Sequence, residues 1–136
     1  MKSIFIDSDI LLDALLKREP FDIWAKGVLM LLDNGEYTGC TSVHSLLNTH
    51  YIVKKHVGEK AARASIKVLA QKLNILTEDA AVVDQAIASV FSDLEDAVQY
   101  YTAVNGRADV IITRNIKDYK NSAIPVLTAE QFLRTL

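Results

Sequence analysis

Several aspartates stand where a carboxylate could hold a cation. Asp7 follows the apolar run KSIFI at 2–6. Asp93 and Asp96 open DLEDAVQ, and Asp118 closes ADVIITRNIKD. Asp9 lies two residues beyond Asp7. Carboxylates gathered in one place repel one another unless a cation or protons compensate. Mg2+ or Mn2+ suits oxygen ligands of this kind. A hydrated divalent ion activates water and stabilises charge on a phosphoryl group, so hydrolysis of a phosphodiester needs no Cys, Ser or His nucleophile. A structural reading stands beside this one. Asp and Asn are common just after strands and at helix starts, where they cap and turn the chain.

The elements decide whether these acids can meet. KSIFI reads as a short buried strand. ILLDALLKR then carries apolar residues at Ile10, Leu11, Ala14 and Leu15, a helical spacing. Pro20 marks a break, and a second helix is expected over 21–34, ending at Asn34-Gly35. YTGCT at 37–41 is a second strand. Residues 43–56 read as a helix with Val43, Leu46, Leu47, Tyr51 and Ile52 on its apolar side, and Gly58 separates it from a helix over 59–72. LNILT at 73–77 is a third strand. Thr77 or Asp79 caps a helix running to Val90, with Val82, Val83, Ala86, Ile87 and Val90 inside. Ser92 and Glu95 fit a capping box, which places Asp93 and Asp96 in or near the first turn of the next helix. Residues 108–113 and 124–128 are the last strands, and 129–135 a closing helix.

Short apolar strands alternating with helices predict an α/β fold: a three-layer α/β/α sandwich around a mainly parallel sheet of four to five strands. Ligand crevices in such sheets lie beyond the carboxyl ends of the strands. Asp7 and Asp118 follow strands, and Asp96 begins a helix that leads back into one, so the three share that edge. With 136 residues and no linker composition, the chain is expected to form one domain over 1–136.

Bulk properties narrow the partners. A net charge of −2 and a pI near 5.9 argue against a protein that coats long nucleic acid by charge alone. They leave room for a small nuclease whose anionic substrate meets a cation and a local patch. The single Cys40 excludes an internal disulfide, and one Cys with three scattered His does not resemble a zinc site. Asp7 and Asp9 interrupt the N-terminal apolar run, which reads as neither signal peptide nor membrane span. A cytoplasmic location is expected.

Together, FIDSDILLDALLKREPF at 5–21, SDLEDAVQYYTAV at 92–104, ADVIITRNIKDY at 108–119 and IPVLTAEQFL at 124–133 resemble the PIN-domain family of metal-dependent ribonucleases. They look most like its small bacterial branch, which includes the toxins of VapC-type toxin–antitoxin pairs. The resemblance implies that Asp7, Asp96 and Asp118, with Asp93 or Asp9, hold Mg2+ or Mn2+, and that single-stranded RNA is cleaved. Asn115 stands where many members carry an acid, and its amide could orient a water. Thr113 could bond a carboxylate or a phosphate, or serve as a cap. Many members place a glutamate in the helix after the second strand. This chain has no acid between Thr41 and Lys55, and Asn48 occupies the region, with Ser45 or His44 as lesser candidates. The branch often has a polar residue there. The resemblance also implies a homodimer and an antitoxin protein as partner.

The leading expectation is therefore a metal-dependent ribonuclease acting on single-stranded RNA, of the kind that serves as the toxin of a toxin–antitoxin pair; the alternative is a PIN-like RNA- or protein-binding module with weakened or lost catalysis. The missing glutamate and Asn115 support the alternative. An unrelated phosphatase-like or receiver-like α/β protein also gathers acids at a sheet edge, but the long helical interval 42–72 and the late EDAVQ fit it poorly. No phosphate-binding glycine loop is present.

Arg114 and, less so, Lys117, Lys17-Arg18 and Lys54-Lys55 are candidates for phosphate contact; solvated helix ends explain them equally well. His44, His50 and His56 are six residues apart, so successive rings differ by about 120° around a helix and share no metal-binding face. Phe21 and Trp24 default to core or partner-helix packing, with base stacking as the sharper alternative. Leu11, Leu12, Leu15, Leu16, Phe21, Trp24, Val28, Leu29, Leu31 and Leu32 give the first two helices enough apolar surface to suggest a dimer or antitoxin face.

Overall fold

The strand β1 (Lys2–Ile6) sits at the centre of a five-stranded sheet. Around it lie β2 (Tyr37–Ser42), β3 (Leu73–Leu76), β4 (Val110–Ile112) and β5 (Val126–Leu127), in the order β3-β2-β1-β4-β5. Every neighbouring pair is parallel. The computed structural model describes residues 2–136.

Parallel strands are covered on both faces, and the sequence of β1 shows why. Ile4 and Ile6 point to one face with Val110 and Ile112, into a core shared with Ile10, Leu11, Val28, Leu69 and Phe132. Phe5 and Ile111 point to the other, against Cys40, Tyr100, Ala103 and Tyr119. Period-two alternation thus fills two cores with one apolar run. Each fully buried Ile or Phe contributes roughly 1.5–3 kcal/mol, so these strands are fixed in register by their faces.

The helices are α1 (Ser8–Leu15), α2 (Asp22–Leu31), α3 (Val43–Val57), α4 (Glu59–Lys72), α5 (Ala80–Ile87), α6 (Leu94–Asn105) and α7 (Ala129–Leu133). A 3-10 turn (Leu32–Asn34) extends α2, and another (Ile116–Tyr119) follows β4. The fold is the expected α/β/α sandwich, with α1, α2 and α7 packed on one side of the sheet and α6 on the other. Gly58, at φ 86°, ends α3 and begins α4, a left-handed backbone that a side chain would strain. At Gly39 a Cβ would lie 2.5 Å from Leu32 Cδ1 and 2.7 Å from Leu73 Cδ2, so any side chain there would require both leucines to move.

Three local expectations are corrected. The N-cap of α6 is Asp93, not Ser92: its carboxylate accepts the Asp96 N–H at 3.0 Å. On α3, Val43, Leu47 and Tyr51 are exposed, and the buried face is Ser45, Leu46, Thr49 and Val53. That face bonds polar groups rather than excluding them: Thr49 Oγ1 donates to Ser45 O, and Ser45 Oγ accepts from Gln99 Nε2. On the segment 80–90, Val82 and Ala86 are buried while Val83, Ile87 and Val90 are exposed, because the helix ends at Ile87 and packs one narrow stripe against α6. The apolar surface expected on the first two helices is largely spent in the core, where Leu11, Leu12 and Val28 are buried. Phe21, Ile23 and Met30 are the large exposed residues around α2.

Candidate functional site

The carboxyl ends of β1 and β4 lie side by side, tied where Asp7 N–H donates to Ile112 O at 3.0 Å. Asp7 therefore leaves the sheet beside Thr113. Because α6 leads back into β4, its N-terminus opens on the same edge and brings Asp96 there. Asp118, on the 3-10 turn after β4, is exposed, and its charge acts on Asp96.

Asp7 is enclosed by its own chain. Its Oδ1 accepts from Ser8 N–H at 2.8 Å and from Gln99 Nε2 at 3.3 Å; its Oδ2 accepts from Thr113 Oγ1 at 3.0 Å and from the Tyr119 hydroxyl at 3.3 Å. A carboxylate has about four acceptor positions, so these donors saturate it. Burial pushes the Asp7 pKa up, against the pull of those bonds. Burial also raises the Tyr119 phenol, and Asp7 and Asp96 add to it, so Tyr119 is a fixed donor.

Asp9 is held from one side only. Its Oδ2 accepts from Arg114 N–H at 2.8 Å and lies 3.3 Å from both Thr113 Oγ1 and Asn115 Nδ2. Its Oδ1 is buried with no hydrogen-bond partner among the described residues. Burial first, then the Asp7 charge, pushes Asp9 up to about 6. Asp96 is also pushed up to about 6, by burial and then by Asp118, Asp93, Asp7 and Glu95. The edge carries more negative charge than its own cations compensate.

One more acid lies behind it. Asp13, wholly buried on α1, accepts from Arg114 Nε at 2.8 Å and Nη2 at 3.0 Å, and from Arg18 Nε at 2.9 Å. Arg18 Nη2 also reaches Asp9 O at 3.3 Å. This cluster fixes the strand-exit segment 113–115 that in turn holds Asp9.

The sequence-derived residues are thus distributed as follows. Asp7, Thr113, Asn115 and Asp9 form one hydrogen-bonded group; Asp96, Asp93 and Asp118 flank it through charge. Asn48, half-buried on α3, donates to Ser8 Oγ at 3.0 Å and so reaches the first turn of α1 beside Asp7. The Arg114 guanidinium is turned to Asp13 and lies 4.1 Å from the centre of the Phe21 ring. Lys54 pairs with Glu59, and Lys55 stands over Tyr51. His44 and His50 meet Glu95 and Glu59, while His56 meets a backbone carbonyl.

Sequence reasoning missed Asp13, Gln99 and Tyr119. A charge inside ILLDALL, four residues after Asp9, signals a buried acid that must be paired. Gln99, three residues after Asp96, shares its helix face.

The family resemblance implies a divalent cation, and the donor set tests that. Among the described residues no group of three or more His, Cys, Asp or Glu is placed to hold one ion. Asp7 would bind a cation only by releasing donors it now engages. The residues as arranged do not fit a preformed metal site.

A sequence profile of the PIN domain matches residues 3–117. No curated protein matches the chain. Among solved structures, a toxin–antitoxin complex from Klebsiella pneumoniae is similar at 25% identity and TM-score 0.69, covering 93% of this chain and 97% of that one. VapBC-1 from nontypeable Haemophilus influenzae is similar at 16% identity and TM-score 0.69, covering 94% and 98%. DNA-bound VapBC from Salmonella typhimurium is similar at 17% identity and TM-score 0.69, covering 95% and 99%.

Proposed function

The chain belongs to the PIN-domain family, and on that footing we propose that it engages single-stranded RNA as a binding module whose hydrolytic site is weakened. The observation that carries this is the state of Asp7: both of its oxygens are satisfied from within the chain, by Ser8, Gln99, Thr113 and Tyr119. Asn48 supports it, because a neutral amide reaches the first turn of α1 where many relatives bring a glutamate. Asn115 supports it too, since its amide donates to Asp9 in place of a further acid. The test separates binding from cleavage. A labelled single-stranded RNA is mixed with the protein in EDTA, Mg2+ or Mn2+, and anisotropy and product length are followed together. Binding that survives EDTA, with little or no cleavage in either metal, is expected.

The second reading is a Mg2+- or Mn2+-dependent endoribonuclease in which Asp7, Asp96 and Asp118, with Asp93, hold the metal and Asn115 positions water. What favours it is the unpartnered Asp9 Oδ1 together with the surplus of charge around Asp96. It requires Thr113 and Tyr119 to let go of Asp7. Rapid cleavage that stops with chelator, and is lost in Asp7→Ala and Asp96→Ala, would establish it.

Residues 1–136 then act as one PIN-like domain. An antitoxin protein is the proposed partner, on the strength of the similarity to the Klebsiella toxin–antitoxin complex, and a second copy is the other. Among the described residues no helix is long and apolar enough to cross a membrane.

A further inference from the structure

A cavity of about 290 Å3 opens beside the acidic edge, between α1, the start of α2, the segment after β4 and the start of α7. Phe21, Trp24 and Arg114 supply its planar groups, and Ile10 and Ala129 its apolar wall. Asn115 belongs to both places: it lines the cavity and donates to Asp9. We propose that this cavity is a nucleobase subsite, taking one unstacked base with an exocyclic amino group.

The charges around the cavity point to a neutral ligand. Asp13 is matched by Arg114 and Arg18, and Glu130 is bonded to Arg134 at 3.0 Å. No lining cation is left uncommitted for a phosphate: Arg114 is the only one, and its guanidinium is fixed on Asp13 and Phe21. What remains is flat and polarisable. Phe21, 41% exposed, and Trp24 line the cavity, each backed by a guanidinium, Arg114 at 4.1 Å and Arg134 at 5.2 Å from the ring centres, and stacking on aromatic rings is the usual means of holding single-stranded bases. The volume lies just below the range that holds drug-sized ligands, which suits one ring system and not a large cofactor. Glu130, with one oxygen engaged by Arg134, keeps acceptor positions for an amino group, as Glu does for the cytosine amine elsewhere. A peptide side chain from a protein partner is the rival occupant; an aliphatic or phenyl group would leave the remaining acceptor positions of Glu130 unused.

This inference rests on the RNA-binding reading above. Trp24 is the sole tryptophan, so its fluorescence reports on the cavity directly. Dye-labelled octamers of oligocytidine, oligouridine and an abasic ribose phosphate are titrated into the full chain, reading anisotropy and Trp24 emission together. Oligocytidine should quench Trp24 and bind more tightly than oligouridine. Phe21→Ala should weaken it by about five- to a hundredfold, the range of one lost stacking contact. Glu130→Gln, on an exposed residue, should erase the preference for cytidine. The abasic octamer should bind without quenching and ignore both variants. Octamers that bind with Trp24 unchanged and Phe21→Ala without effect would overturn the subsite and leave the RNA reading standing. No anisotropy change with any octamer would overturn both. A stronger Trp24 response to N-acetylphenylalaninamide than to cytidine would overturn the nucleobase in favour of a peptide.

Discussion

Arg114 closes on the buried carboxylate of Asp13 through two hydrogen bonds, at 2.8 Å and 3.0 Å. Breaking a buried ion pair from one side costs about 3–5 kcal/mol, because the other charge is stranded. Arg114 and Arg18 are each about a third exposed, so water recovers part of that. Asp13→Ala should therefore lower unfolding free energy by about 2–3 kcal/mol in urea titration. A loss under about 0.5 kcal/mol, the scale of ordinary surface changes, would show that the cluster is not structural.

Asp96 gives the protein a pH dependence whose sign follows from burial first and then from the crowding of like charges. Its pKa is raised from 3.8 to about 6, so the folded state binds the proton more tightly than the unfolded chain does. Stability is then greatest below the ordinary value and falls as pH rises through about 4 to 6. A rise of this size is worth about 3 kcal/mol in a site sealed from water. Asp96 is only part-buried, so about 1 kcal/mol is expected. Asp96→Asn should be more stable than the native chain at pH 7 by about that amount, raising Tm by about 2–4 °C. The gap should close as pH falls to 4. A gap that is constant with pH would mean that charge is not its cause.

Tyr119→Phe isolates one bond of Asp7. The side chain is buried and its hydroxyl donates to Asp7 Oδ2 at 3.3 Å. Losing it should cost about 0.5–1.5 kcal/mol. It also vacates one acceptor position on Asp7, so Mn2+ affinity by isothermal titration should rise. Unchanged or weaker Mn2+ binding would contradict the view that internal donors compete with a cation there.

Asn48→Glu tests the missing acid from the other direction. The side chain already reaches Ser8 beside Asp7. A carboxylate there should strengthen Mn2+ binding at least about tenfold, roughly 1.4 kcal/mol. No gain would mean that the saturation of Asp7, and not the lost glutamate, limits the site.

Much of the frame was legible in the sequence because it rests on local patterns. Apolar runs ending in Asp7 and Thr113 mark buried parallel strands, and their order places Asp96 at the same edge. The faces of α3 and α5 were not legible. Spacing counts apolar residues, whereas α3 buries Ser45 and Thr49 through hydrogen bonds and leaves Leu47 and Tyr51 outside. Asp7, Asp9, Asp93, Asp96 and Asp118 were found, and Thr113 as a candidate partner for a carboxylate, but Asp13 and the other distant partners of Asp7 were not. Gln99 lies 92 positions from Asp7, and Tyr119 lies 112, and nothing local announces bonds across such intervals. The role of Arg114 shifted for the same reason: its acid, Asp13, lies 101 positions away.

The most direct measurement follows single-stranded RNA binding and cleavage in one sample of the native chain, with Mn2+ and then with EDTA. The account predicts binding that persists in EDTA and cleavage that is slow or undetectable in Mn2+. Rapid Mn2+-dependent cleavage that stops with EDTA and is lost in Asp7→Ala would contradict it.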